Sequence, residues 1–168
     1  MAEEIVNRVA QSKLQVFDLE DYYPVGKRVV LDIKDWLWQE LILKEKDFRI
    51  LADTHDWQQY KDTYVALNCS TDAIVPSWAY MLLVSKLQPY AKQVVVGSLE
   101  DLETSLYQTI LSNLDVSTFQ DKPVIIKGCS HKPVPQNAYL QAMLKIQPVA
   151  KSVMYGEACS AVPLYKKK

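Results

Sequence analysis

Glycine is scarce in this chain: four residues in 168, at positions 26, 97, 128 and 156. Neither G-x-G-x-x-G nor G-x-x-x-x-G-K-[ST] can be built from them, so the loops that bring backbone close to a phosphate are missing. That excludes dinucleotide and P-loop nucleotide binding. Histidine is scarcer, with only His55 and His131, which leaves few ways to build a general-base enzyme around imidazole. No G-x-S-x-G, H-E-x-x-H or C-x-x-C occurs. Neither sign of charge dominates: 19 Lys and Arg against 20 Asp and Glu give a net charge of −1. Such a surface is a poor match to nucleic acid or anionic lipid. No apolar run approaches the roughly 20 residues of a membrane span. The start, Met1-Ala2-Glu3-Glu4-Ile5, has neither the basic nor the apolar region of a signal peptide. The expectation is a cytoplasmic protein that engages neither nucleic acid nor membrane. Three cysteines in a reducing compartment do not make a disulfide framework.

What is present is an alternation of short apolar strands with longer amphipathic helices. Residues 3–12 carry Ile5, Val6, Val9 and Ala10 at helical spacing. Strands are expected at 14–19 and 27–33, and helices at 34–42 and 45–54, with a turn at 22–26. From residue 63 the pattern sharpens: strands at 63–67, 93–96, 124–127 and 152–155, and helices at 76–88, 99–113 and 135–146. Strand–helix–strand units of this kind predict an α/β fold, a mostly parallel sheet covered by helices. The chain reads as a single domain, 1–168, with residues 1–60 packed as helices and strand on a core at 63–163.

That core contains a repeat. Val75–Ser98 and Val134–Glu157, 59 residues apart, share 11 of 24 residues, where unrelated segments would share roughly one or two. The duplicated βαβ unit covers about 63–98 and 123–157. Pro76 and Pro135 suit a first helical position, Pro89 and Pro148 stop the helices, and Gly97 and Gly156 end strands. Two such units are expected to pack as halves of one sheet.

All three cysteines follow expected strands, and each is followed by serine and, further on, Val-Pro: Cys69 in NCSTDAIVP, Cys129 in GCSHKPVP, Cys159 in EACSAVP. In one parallel sheet these positions would share the carboxyl edge, where open α/β folds keep their ligand sites. His131 would join them. Cys69, Cys129, Cys159 and His131 make a Cys3His set, enough for tetrahedral zinc. Three thiolates also suit an iron–sulfur cluster, its remaining position taken by His131 or left open. Asp72, Lys132 and Glu157 would support such a site from behind, although Asp72 also suits a helix N-cap. The plain alternative is that each cysteine is a small buried hydrophobe. His55 reads as a helix-end residue favoured by the dipole. Trp36, Trp38, Trp57 and Trp78 read as core or interface residues rather than base-stacking platforms.

The segments CSTDAIVPSWAYML, GCSHKPVPQNAYL and GEACSAVPLYKK resemble a bacterial family catalogued as a domain of unknown function, number 2480, over the whole chain. Members of the family it resembles often lie near iron–sulfur assembly genes. The resemblance therefore implies iron–sulfur biology, with assembly proteins as partners, but supplies no catalytic residue. Three readings follow. The first is a metal-site protein, holding zinc or an iron–sulfur cluster and serving metal or iron–sulfur homeostasis. The second is a thiol enzyme with Cys129 as nucleophile, activated by His131 and a helix N-terminus. The third is a binding or scaffold module whose cysteines are merely buried.

Overall fold

Runs of β-branched and aliphatic residues too short for a helix set the strands, and longer stretches of good helix formers set the helices. The fold is described from a computed structural model for residues 13–128 and 131–168. The expected helix at 3–12 lies outside these residues. The strands are β1 (Gln15–Asp18), β2 (Arg28–Asp32), β3 (Tyr64–Asn68), β4 (Gln93–Val96), β5 (Pro123–Lys127), β6 (Ser152–Tyr155) and β7 (Val162–Lys166). The α-helices among the described residues are α1 (Glu45–Thr54), α2 (Ser77–Leu87), α3 (Leu99–Asn113) and α4 (Gln136–Ile146). The protein is mixed α/β, and its strands form two mostly parallel sheets.

The two sheets correct the expectation of one. A four-stranded sheet has the order β1-β5-β6-β7 and a three-stranded sheet the order β2-β3-β4. Strands from the N-terminal residues decide this. β2 runs parallel to β3, with Asp32 opposite Asn68, and β1 runs parallel to β5, with Asp18 opposite Lys127. Each strand–helix–strand segment thus has its own parallel neighbour on one side, and β4 and β5 do not pair. β7 was not expected from the sequence. It pairs antiparallel with β6 through a shift of register at Val153/Met154.

The chain divides into two compact units. One holds the chain up to Tyr23 and from Tyr107 onward; the other is Pro24–Leu106. The same spacing of 59 residues runs through both. Helix α2 and α4 bounds, β4 and β6 bounds, and the left-handed residues Asp62 (φ 59°) and Asp121 (φ 54°) all match at that offset. So do the bonds that close each unit: Asp62 N–H donates to Tyr90 C=O and Asp121 N–H to Val149 C=O, at 3.0 and 2.8 Å. Gly97 (φ 144°) and Gly156 (φ 110°) end β4 and β6 in the region that glycine alone enters freely. Pro76 and Pro135 stand one place earlier than expected, as N-caps whose carbonyls accept from Ala79 and Ala138 N–H.

Each unit has its own core. In the first, Phe17, Val124, Ile126 and Val153 from the sheet pack on Ala138, Ala142 and Ile146 of α4 and on Tyr107 and Leu111 of α3. Tyr107 OH donates to Leu19 C=O at 2.8 Å, which satisfies a fully buried hydroxyl. In the second, Leu31, Val65 and Leu67 pack on Leu83 and Leu87 of α2 and Phe48 and Ala52 of α1. Ala66 meets Leu102 and Leu106 of α3. Burying each such Leu contributes about 1.5–3 kcal/mol.

Residues 34–42 do not form the expected helix. Asp32 Oδ1 accepts from Lys34 N–H at 3.0 Å, which starts a single 3-10 turn at Lys34–Trp36. The chain then doubles back in a tight hairpin. Trp38 N–H donates to Ile42 C=O at 2.8 Å and Ile42 N–H to Trp38 C=O at 3.1 Å. Gln39 (φ 51°) and Glu40 (φ 59°) are both left-handed, at about 1–2 kcal/mol each for residues with a Cβ.

Candidate functional site

The carboxyl ends of the parallel strands are where this architecture offers loops to a ligand. Two such edges exist, one per sheet, and the four expected ligands divide between them. Cys69 follows β3 of the three-stranded sheet. Cys129 and His131 follow β5, and Cys159 follows β6, in the four-stranded sheet. The single shared edge expected for all three cysteines is therefore corrected. It rested on one continuous sheet, and strand pairing broke that continuity.

At the edge of the four-stranded sheet, β5 and β6 are adjacent and in register as far as Ile126 opposite Tyr155. Gly156 N–H donates to Ile126 C=O at 3.0 Å and turns the chain away from the strand. Ser160 N–H donates to Glu157 C=O at 2.9 Å, closing a turn that leaves Cys159 exposed. On the neighbouring loop, the His131 N–H donates to Glu20 Oε1 at 2.9 Å and Lys132 Nζ donates to Glu20 C=O at 3.0 Å. The ammonium of Lys132 also lies 5.7 Å from the Tyr23 ring. Cys129 is outside the described residues; in sequence it stands two places beyond Lys127.

Charge at this edge is organised around Lys127, which the sequence reading had not singled out. Its Nζ lies 3.6 Å from Glu157 Oε1 and 3.4 Å from Asp18 Oδ2. Glu157, then Asp18, hold its pKa above the usual lysine value. Glu157 thus pairs with a lysine at the strand end. The signal for Asp18 lay in a second correspondence, Phe17-Asp18-Leu19 against Leu31-Asp32-Ile33. Both aspartates end a first strand, and each accepts from the N–H two residues on.

At the edge of the three-stranded sheet, Cys69 is half-buried and packs against the core. Its sulfur lies 3.4 Å from Thr71 Oγ1, and Thr71 Oγ1 donates to Glu40 C=O at 2.7 Å. Asp32 Oδ1 also accepts from Ser70 N–H at 3.1 Å. Desolvation pushes the Asp32 carboxyl up, but the hydrogen bonds from Ser70 and Lys34 outweigh it and hold it below the usual carboxylate range. The Tyr80 hydroxyl is raised by burial first and then by Cys69 and Asp32. Asp72 caps no helix, because Pro76 holds the N-cap of α2. Instead Asp72 lines an open cleft of about 600 Å³ with Leu41, Ile42, Glu45, Ile74 and Trp78.

His55 does stand at a helix end, as the C-cap of α1. Its ring lies among Trp57, Trp36 and Tyr60, at centroid distances of 4.7, 5.1 and 5.7 Å. The Nε2 atom is 2.9 Å from Tyr60 OH. Desolvation in this aromatic surround lowers its pKa, against a smaller raising effect of Asp56. Among the described residues, no group of three or more His, Cys, Asp and Glu stands ready to hold a metal. No helix among them is long and apolar enough to cross a membrane.

The fold and these edges define a mixed α/β protein with two mostly parallel sheets, each presenting a cysteine-bearing loop at its carboxyl end. The chain belongs to the family described as Protein of unknown function (DUF2480), whose model matches residues 3–167. No curated protein and no solved structure matches it.

Proposed function

We propose that this is a cytoplasmic metal-binding protein whose thiolate and imidazole ligands lie on the loops leaving the carboxyl edge of the four-stranded sheet. Cys129, His131 and Cys159 are the ligands. One observation carries the reading: β5 and β6 are neighbouring parallel strands, and the loop after each brings a cysteine within a few residues of the strand end. Two thiolates and an imidazole suit zinc with an open fourth position, or part of the ligand set of an iron–sulfur cluster. Lys127 and Lys132 at the same edge offset thiolate charge. A thiol site of this kind needs a reducing compartment. The role that fits is an accessory or carrier in metal or iron–sulfur homeostasis, with iron–sulfur assembly proteins as partners. Cys69 is given a packing role, because its sulfur lies against Thr71 and the core of the other unit.

The test is metal and sulfide analysis with a visible spectrum, on full-length protein purified without oxygen. Colourless protein with one zinc supports the zinc form, and brown protein with iron and sulfide supports the cluster. Cys129→Ser and Cys159→Ser should each lower bound metal by about 10-fold or more, within the range that loss of a ligand or its support costs. Cys69→Ser should retain it. Loss of metal from Cys69→Ser would return that residue to the ligand set. Metal-free protein of unchanged stability would defeat the proposal.

A further inference from the structure

The spacing of 59 residues gives the two sheets equivalent strands, and the sheets differ in what borders them. β4 and β6 match in their bounds at that offset, and a glycine of positive φ ends each. β6 has a neighbour on both sides: β5 runs parallel to it, and β7 runs antiparallel along its outer edge. β4 pairs with β3 alone among the described residues. Gly97 N–H donates to Leu67 C=O at 2.8 Å. Because bonding direction alternates along a strand, the N–H and C=O of Val94 and Val96 point away from β3. Their counterparts Val153 and Tyr155 are the residues opposite Tyr165 and Val162 of β7. Val96 is 50% exposed, and Leu99, just beyond it, 44%. An open apolar edge is a template for another strand unless charge or proline blunts it. Gln93–Val96, QVVV, contains neither.

The charges at the two ends of β4 say which strand fits. Lys92, at the amino end, is exposed, with its ammonium 5.5 Å from the Tyr64 ring centroid. Lys61 and Asp62, one strand inward before β3, cancel in charge. At the carboxyl end, the exposed acids Glu100 and Asp101 open α3. Asp101 Oδ2 accepts from Ser98 N–H and Oγ at 2.7 and 2.9 Å, which leaves Glu100 pointing no bond at its own unit among the described residues. The edge is thus positive at one end, apolar in the middle and negative at the other end. Such an edge complements itself when run antiparallel, as a two-fold interface requires. We propose that β4 pairs antiparallel with β4 of a second copy of this chain, joining two three-stranded sheets into one. With Val95 on the two-fold axis, Val94 of each copy faces Val96 of the other, and their outward N–H and C=O groups bond reciprocally. Lys92 of each copy then lies beside the Glu100 end of the other. A parallel pairing would set Lys92 against Lys92 and Glu100 against Glu100. β7 on β6 shows that the equivalent edge of the other sheet takes an antiparallel strand.

The test uses the full-length protein. Sedimentation velocity between about 1 μM and about 1 mM should show a reversible monomer–dimer equilibrium, a range that suits a small interface. Amide exchange at Val94 and Val96 should slow as the dimer forms, while Val153 and Tyr155, already covered by β7, should not change. Val96→Pro removes an outward N–H and no bond to β3, so it should give monomer. Lys92→Glu and Glu100→Lys should each weaken the dimer about 10-fold, because both symmetry-related pairs turn repulsive. An equimolar mixture of those two variants should dimerise as wild type does, since every facing pair is then opposite in charge. Monomer at every concentration would overturn the proposal. So would a dimer whose Val94 and Val96 amides still exchange fast, or a mixture of the two charge variants that stays as weak as either alone.

Discussion

Replacing Arg28 with methionine should destabilise the Pro24–Leu106 unit more than any surface ion pair would. Arg28 Nε donates to Glu103 Oε1 at 2.6 Å and Nη2 to Glu103 Oε2 at 3.1 Å. Its Nη1 donates to the carbonyls of Pro24 and Gly26, both at 2.7 Å. The guanidinium also stacks 5.1 Å from the Tyr64 ring centroid. The two side chains are 13% and 9% exposed, so little water screens the pair. Removing one partner of a buried pair leaves an uncompensated charge and costs about 3–5 kcal/mol, whereas exposed pairs are worth about 0–1 kcal/mol. Arg28→Met keeps an aliphatic stem of similar reach but strands the Glu103 carboxylate. The double variant Arg28→Met/Glu103→Leu removes both charges and should recover most of the loss. Urea unfolding followed by tryptophan fluorescence reports this unit selectively, because Trp36, Trp38, Trp57 and Trp78 all lie within it. A loss below about 1 kcal/mol for Arg28→Met, in the range of an exposed pair, would refute the reasoning. So would a double variant as unstable as the single one.

His55 makes stability depend on pH with a definite sign. Its folded pKa is lowered, chiefly by burial among Trp36, Trp57 and Tyr60. Its contribution is therefore complete above the unfolded value near 6.5 and is lost as pH falls through that value toward the folded one. The urea midpoint of wild type should drop more between about pH 7.5 and pH 5 than that of His55→Phe; equal drops would remove His55 as the cause. At the strand ends, Gly97→Ala should cost more than Gly156→Ala. Both residues have positive φ, but a methyl group at Gly97 would press on the Asp101 carboxylate, while one at Gly156 would meet the Ser160 carbonyl and Ala161 only at ordinary contact distance. Thermal unfolding midpoints that fall equally in the two variants would show that backbone strain alone decides both.

The repeat at Val75–Ser98 and Val134–Glu157 was readable because it is local. Pro76, Pro89 and Gly97 act on their own backbone dihedrals, and so do Pro135, Pro148 and Gly156. Helices α2 and α4 and strands β4 and β6 accordingly fall close to where the periodicity puts them. Failures came where a side-chain bond to the backbone, near or distant in sequence, overrides the apolar spacing, or where a paired strand does. Residues 34–42 have apolar spacing that suits a helix, yet Asp32 closes a turn on Lys34, and Thr71, 31 residues from Glu40 in sequence, holds the hairpin that follows. β7 has a proline and no clean alternation, and it becomes a strand only by pairing with β6.

For the candidate site, the local residue pattern specifies the setting of each thiol: a loop after a short apolar strand, with His131 two residues past Cys129. It also determined that phosphate-binding glycine loops are absent. Which thiols share an edge was decided by tertiary structure alone. Parallel strands carry no turn residues that name their neighbour, so strand order follows from which flanking strand completes each sheet. Here β1 joins β5 and β2 joins β3, so the segments that follow β5 and β6, with His131 and Cys159, leave one sheet, and Cys69 follows a strand of the other.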